Sequence, residues 1–491
     1  MKNFKKTLNL TLLSIMVILI GFSSINYAMA DDVQNVNDSS NQYDNTDYDS
    51  INHDEFVDTD SGSDDFEYGE NETDSYNIFS NTKTASTDSN TEIKNVTAVD
   101  YAEEILPNKV IYTEAKKAYK VTGLKHKFNI QTSYVASGYI FVSQNYDKTG
   151  ETYLSRCELK GTTATYKDEM ILKNFGHNQT LQFYSHNNKT YILIGCKRNT
   201  NVDIKTGNPK EDKNLGQNMT IQVGRIQYKA GTRISNYTQV NRMVRLDCAN
   251  TSGKPFDSKN DDDVKKASNI KTVIKRMDAS LSSNKKYLVL AVRSIHDHIQ
   301  YSYYDFDVIN NLLDKVEGKT PNYINCSDNT SIKNACKFSC VQKYIEHKKN
   351  RILPNGSCQG IDFTNAYSIY MSSGSGTSGA KYDSEDKDQL HPYYYNYMPK
   401  IAKMVRNNDG YEYSLCIRIT NTYTSKTVEN KTTLPNYYME IEGIQNTADY
   451  LYFVLVPAKI PSDEVGANNP EKNTTQYIYS LSKQDIEEKI S

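Results

Sequence analysis

The chain has 491 residues, 37% of them hydrophobic, with 39 tyrosines, no tryptophan and a formal net charge of −3. That length can bury a sizeable core, but only one apolar run, from Leu8 to about Phe22, approaches membrane length, which excludes a polytopic membrane protein. The near-neutral average hides a division: residues 31–96 hold 18 acidic side chains against Lys83 and Lys94, whereas residues 97–491 hold 52 basic and 42 acidic ones, a net of +10.

In chain order, Lys2, Lys5 and Lys6 precede the apolar run, and Ala28-Met29-Ala30 supplies a small-x-small cleavage site. Residues 1–30 therefore read as a secretory signal peptide, with an uncleaved anchor as the weaker alternative because the run is short for a full span. The protein is expected to be secreted and extracellular, without stable membrane insertion. The short Lys-rich start and the Asn/Lys/Tyr-rich composition point to a Gram-positive origin.

Residues 31–96 are rich in Asp, Asn, Ser and Thr, with no hydrophobic period. Such an arm buries too little surface to offset its ordering entropy and is expected to be disordered. Its DTDSGSDD stretch, Asp58 to Asp65, has a glycine one place early for a calcium loop and reads as solvated linker.

The texture changes near residue 97. A short helix is expected over Asp100 to Leu106, and tyrosine-rich strands follow to the end. Cys157, Cys196 and Cys416 sit in apolar strand patterns and read as small buried hydrophobes. Cys326, Cys336, Cys340 and Cys358 lie in less regular sequence and are the better disulfide candidates in an exported chain.

One phrase recurs five times: a polar residue, a small residue, a short strand, a turn, a second strand. The copies begin at Gln131-Thr132, Gln179-Thr180, Asp278-Ala279, Gln359-Gly360 and Glu442-Gly443, at intervals of 48, 99, 81 and 83 residues. Third strands follow as TYLSRCEL, TIQVGRIQY, IQYSYYDF, PKIAKMVR and TQYIYSLS, and two of them run into short helices, DFDVINNLLDK and LSKQDIEEKI. Repeats of three or four antiparallel strands predict an all-β, five-bladed β-propeller over residues 97–491. A β-sandwich with an accessory domain is the alternative. The last repeat ends early, so the segment 109–123 is expected to pair with it, Val110–Val121 against Tyr477–Ser482, and close the ring.

In a propeller the first strands line a central axis. The recurring polar residues would then converge, joined by His177, Asn178, Arg276, Asp362 and Glu440. Alternation along the fourth first strand puts Gln359 with Ile361 on one face and Gly360 with Asp362 on the other. The small residues allow close backbone approach at a crowded axis. Amides and carboxylates hydrogen-bond sugar hydroxyls and tyrosines stack on sugar faces, so Gln131, His177, Gln179, Arg276, Asp278, Gln359 and Glu442 form the candidate binding set. The same polar groups in a purely structural role would hydrate the channel. Asp278, Asp362 and Glu442 are the candidate catalytic carboxylates of a glycosidase. No metal or cofactor is expected: His296-x-His298 lacks a third ligand, and GSGTSG, Gly374 to Gly379, lacks the Lys-Ser/Thr ending of a phosphate loop. No nucleic-acid partner is expected either.

The stretches GYIFVSQ, TYLSRCEL, NFGHNQTLQFYSHNNKTYILIG, RIQYKAGTRIS, KRMDASLSSNKKYLVLAV, IQYSYYDFDVINNLLD and CQGIDF with YMSSG together resemble the helveticin J family of large bacteriocins. The resemblance covers residues 125–375 best and implies secretion and inhibition of related bacteria. The chain departs from the family pattern in its acidic arm, its lack of tryptophan and the insert near Cys326–Cys340. The leading expectation is a secreted antibacterial protein whose propeller binds an envelope glycan or anionic polymer of target cells. The alternatives are a wall-polymer hydrolase using axial carboxylates and a surface adhesin without toxicity.

Overall fold

The structure is a computed structural model and describes residues 103–104, 107–146, 149–201, 215–257, 270–296, 298–327, 329–343, 349–351, 358–373, 400–419, 426–428, 431–433, 437–459 and 476–490. They belong to one structural unit, residues 65–491. The signal segment 1–30, the arm 31–96 and the loop 374–379 lie outside the described residues. The chain is mostly β with few helices.

Five antiparallel meanders follow one another. Meander I comprises Ile130–Ala136, Tyr139–Tyr146, Glu151–Lys160 and Thr163–Lys173. Meander II comprises Leu181–His186, Lys189–Arg198, Thr220–Ile226 and Asn241–Val244, with Tyr323–Asn325 added in parallel. Meander III comprises Ile274–Leu281, Tyr287–Ser294, His298–Asp305 and Cys336–Lys343. Meander IV comprises Gly360–Phe363, Ile369–Ser373, Lys400–Arg406 and Tyr411–Ile419. Meander V comprises Tyr437–Asn446, Tyr450–Lys459 and Gln476–Ser482.

The segment ahead of meander I supplies two outer strands. Lys116–Thr122 pairs antiparallel with Gln476–Ser482, with Lys120 opposite Tyr477, and parallel with Thr163–Thr165 of meander I. Meanders V and I thereby share one nine-stranded sheet. Val110–Thr113 goes instead to meander IV, parallel to Cys416–Ile419.

The second strands of the meanders bury both faces, which is why the sequence reads there as short continuous apolar runs. In YLVLAVRS, Leu288, Leu290 and Val292 pack toward meander II, while Val289 and Ala291 pack toward meander IV. The same division recurs everywhere, giving five apolar seams: I with II, II with III, III with IV, IV with V, and V with I. The first strands of the meanders neighbour one another in the same cyclic order. Tight turns set the hairpins: Asn187 and Asn188 both take left-handed backbone, the two-residue turn that matches strand twist.

The helix Phe306–Val316 is capped by Asp305, whose side chain accepts from the Val308 N–H, and it plugs Phe306, Ile309 and Leu313 into the seam of meanders II and III. The second expected helix is present as Lys483–Ile490. Two expectations fail. Glu103–Glu104 is extended and paired with Lys349–Arg351, so the helix expected over 100–106 is not formed there. All eight cysteines are free thiols. Cys336 and Cys340 lie on one strand, about 13 Å apart at roughly 3.3 Å per residue, beyond disulfide reach. Cys326 and Cys358 are buried in different seams. Cys157, Cys196 and Cys416 are fully buried among apolar side chains.

Phe453 is fully buried in the seam between meanders IV and V. Phe453→Ala should cost about 3–5 kcal/mol, read as a lowered urea midpoint at unchanged slope.

Candidate functional site

The first strands converge, and adjacent ones are tied by side chains reaching backbone. The Ala279 N–H donates to Thr180 Oγ1 (3.0 Å), the Phe363 N–H to Ser280 Oγ (3.1 Å), the Asn446 N–H to Asp362 Oδ2, and the Val135 N–H to Gln445 Oε1 (2.7 Å). Meander I reaches meander II through Ser143 Oγ, which donates to the Asn178 carbonyl (3.4 Å). A Cβ on Gly360 would lie 2.9 Å from Gly443 Cα, and one on Gly443 would lie 2.2 Å from Thr132 Oγ1, so only glycine fits these two positions.

Within this ring, Gln179 is the hub of a buried polar cluster. Its Nε2 donates to Gln359 Oε1 (2.9 Å) and to Glu442 Oε2 (2.7 Å), and its Oε1 accepts from Arg276 Nη2. Arg276 also grips Asp278 with two nitrogens, Nε to Oδ2 at 2.8 Å and Nη2 to Oδ1 at 2.9 Å, the paired geometry a guanidinium offers a carboxylate. Gln359 Nε2 donates to Glu440 Oε1. Four meanders thus contribute to one network.

Local devices hold the hub. Asn178 accepts at Oδ1 from the N–H groups of Thr180 (3.1 Å) and Gly195 (3.2 Å) and donates from Nδ2 to the Gly195 carbonyl (3.1 Å). This explains the glycine that ends ILIG: a Cβ there would lie 2.9 Å from Asn178 Oδ1. Bulges aim the polar side chains. The register shifts between Ile130 and Thr132, where Gln131 is the extra residue, and between Ile441 and Ile444, where Glu442 and Gly443 are.

The remaining sequence candidates are placed as follows. Gln131, from meander I, is half-buried and its Oε1 is buried without a hydrogen-bond partner. His177 forms a bridge with Met219, and its carbonyl accepts from Thr220 Oγ1 (3.1 Å). Asp362 is 2% exposed and spends its oxygens on Ser280, the Phe363 N–H (2.7 Å) and the Asn446 N–H. Its partners lie further along the neighbouring first strands than Asp278 and Glu442 do. Ile361 is in the apolar seam with Phe363, so the expected sharing of an axial face by Gln359 and Ile361 does not hold. His296 Nδ1 meets Asp257 Oδ2 at 2.8 Å.

Glu440 and Glu442 sit two apart on one strand. Burial raises the Glu440 carboxyl above the usual range. Burial and the Glu440 charge together raise Glu442 well above it. The arrangement can offer acceptors and one carboxyl-bound proton to hydroxyl groups, and its three carboxylates outnumber its single guanidinium. The sequence reading passed over Tyr134, Gln182 and Lys285. The signal was a second polar position three residues beyond the first: Gln131 to Tyr134, Gln179 to Gln182, Gln359 to Asp362.

The family profile of bacteriocin helveticin-J matches residues 92–481, and the chain belongs to that family. No curated protein matches it. Among solved structures it is similar to an α-L-arabinofuranosidase from Lactobacillus brevis, at 9% identity over 75% of this chain and 92% of that one, with a TM-score of 0.33. It is similar to an α-L-arabinanase from Penicillium chrysogenum complexed with arabinobiose, at 8% identity over 75% and 77%, TM-score 0.27. It is also similar to the hydrazine synthase of Kuenenia stuttgartiensis, at 8% identity and a TM-score of 0.27 over 67% of this chain, and spans 64% of that chain's length.

Because the folded state holds the Glu442 proton more tightly than the unfolded chain, the stability this group contributes is full below its unfolded pKa and is lost as pH rises through the folded value. Glu442→Gln should therefore gain stability relative to wild type as pH rises above the ordinary glutamate range, measured as the difference in thermal midpoints.

Proposed function

We propose that this chain is a secreted antibacterial protein whose meanders are the five blades of a β-propeller, and whose axial cluster binds a glycan of the target-cell envelope. The observation that carries the reading is the meeting of Gln179, Arg276, Asp278, Gln359, Glu440 and Glu442 from four meanders in one buried network. Cyclic order of the first strands and five cyclic seams support the propeller. Membership in a bacteriocin family supports growth inhibition. The unpartnered Gln131 oxygen offers an acceptor that a ligand hydroxyl would satisfy. The basic body, net +10 over residues 97–491, favours approach to an anionic envelope.

A second reading rests on the Glu440–Glu442 pair. Two carboxyls with raised pKa, near Asp278 gripped by Arg276, are the kind of set a wall-polymer hydrolase needs for its general acid.

Purified protein should inhibit neighbouring Gram-positive species and sediment with their cells. Gln179→Leu should weaken cell binding at least about tenfold, about 1.4 kcal/mol, while a zymogram separates the two readings. A cleared band lost in Glu442→Gln supports the hydrolase; binding without clearing supports the lectin-like role. Neither inhibition nor cell binding by wild type would overturn both.

A further inference from the structure

The inner strands carry a second polar set beyond the axial cluster. Tyr134, Gln182, Asp362 and Asn446 lie three or four residues past the recurring polar position, about 10 Å along each strand at roughly 3.3 Å per residue. Lys285, in the hairpin turn that follows the first strand of meander III, completes it.

That turn is tightly built. Asn284 Oδ1 accepts from Ser282 Oγ (2.7 Å) and from the Lys286 N–H (3.1 Å), and the Asn284 N–H donates to Asn365 Oδ1 (2.9 Å) of meander IV. Lys285 is thereby fixed in left-handed backbone, φ 57°, a conformation a lysine adopts only where its surroundings impose it. Its ammonium lies 5.6 Å from the centroid of the Tyr134 ring, and its hydrogen bond to Gln182 Oε1 is long, 3.4 Å. Three donors are held in place and hardly used.

The surroundings point to an anion. Asp362 is the neighbouring carboxylate, and its oxygens are taken by Ser280 and by two backbone N–H groups. Two lysines feel its charge: burial lowers the pKa of Lys285 and of Lys483, and Asp362 opposes that in both. The Lys483 ammonium is bonded to the Thr447 carbonyl. Asn446 is 7% exposed, donates to Ser283 Oγ (3.2 Å), and leaves its Oδ1 buried with no partner. A ligand satisfying this set brings an anionic oxygen to Lys285 and the Tyr134 hydroxyl, and an O–H donor to Asn446. The axial cluster already engages its one guanidinium with Asp278 and Gln179 and offers such a group no comparable cation.

We propose that Lys285, Tyr134 and Asn446 form an anion-reading pocket at the far end of the ring, which takes the carboxylate or phosphate of a hydroxylated saccharide or polyol. The pocket rests on the envelope-binding reading only for the source of that ligand. Glucuronate and glycerol 1-phosphate are the probes and glucose the neutral control, titrated calorimetrically at low salt into wild type, Lys285→Asn and Tyr134→Phe. Asparagine tolerates left-handed backbone, so Lys285→Asn removes the charge and keeps the turn.

Wild type should bind at least one acid and prefer it to glucose at least about tenfold, about 1.4 kcal/mol. Lys285→Asn should lose about tenfold and Tyr134→Phe a few-fold. Binding of glucuronate alone assigns a uronic acid, and of glycerol 1-phosphate alone a polyol phosphate. No acid binding by wild type overturns the pocket, as does undiminished affinity in Lys285→Asn. Should that variant unfold, unchanged affinity in Tyr134→Phe overturns it. Cell binding without acid binding sinks the pocket and leaves the envelope reading; acid binding at Lys285 without cell binding does the reverse.

Discussion

The described fold depends on five short first strands packed each against the next, tied at four of the five junctions by a side chain that accepts a backbone N–H. Thr180, Ser280, Asp362 and Gln445 do this at four junctions, and Ser143 serves the fifth through the Asn178 carbonyl. The crowding is steric as well as polar. At Gly360 and Gly443 the approach leaves no room for a Cβ against Gly443 and Thr132. Backbone this close to the axis cannot satisfy its N–H groups with water, so neighbouring side chains must do it.

The rest of the fold follows from that ring. Once the inner strands are fixed side by side, every meander presents two faces to two neighbours, and both must be apolar. Hence the runs LVLAV, YILIG and FVLV, whose alternate residues feed different seams. The remaining difficulty is the open edge where the last meander has three strands. Lys116–Thr122 fills it and joins meander I in parallel, which removes two edges at once.

The repeat of a polar and a small residue was legible because it reports this crowding directly. The all-β class was legible for the same reason, and so were the two helices, with Asp307 and Asp485 in their first turns. What defeated sequence reasoning was local. Alternation assumes an unbroken pleat, but the strands shift register at Gln131 and at Glu442–Gly443, and a bulge turns side chains in a way no period records. Ile361 went to the seam because a fully apolar side chain gains most there. Cys326, Cys336, Cys340 and Cys358 suggested disulfides only while their segments looked irregular; as one strand, Cys336–Lys343 holds two of them apart. Lys285 stayed hidden because lysines in turns are ordinarily solvated, and only the fold carries this one over Tyr134.

The axial cluster is costly to keep. Glu440 and Glu442 are like-charged neighbours withdrawn from water, and burial opposes ionisation of both. An apolar or amide substitute would hold the strands as well, since the ties between strands use other residues. Groups that burden stability without serving the ring are the ones a ligand has reason to meet. The charge layout sharpens that argument. Carboxylates gather around Arg276 at one end, while Lys285 and Lys483 share Asp362 further along the same strands, and low-dielectric seams between them limit screening. On the proposed reading, a polymer whose repeating unit carries hydroxyls on one side and an acid on the other would enter the ring in one orientation, set by the field of the protein before any single contact forms.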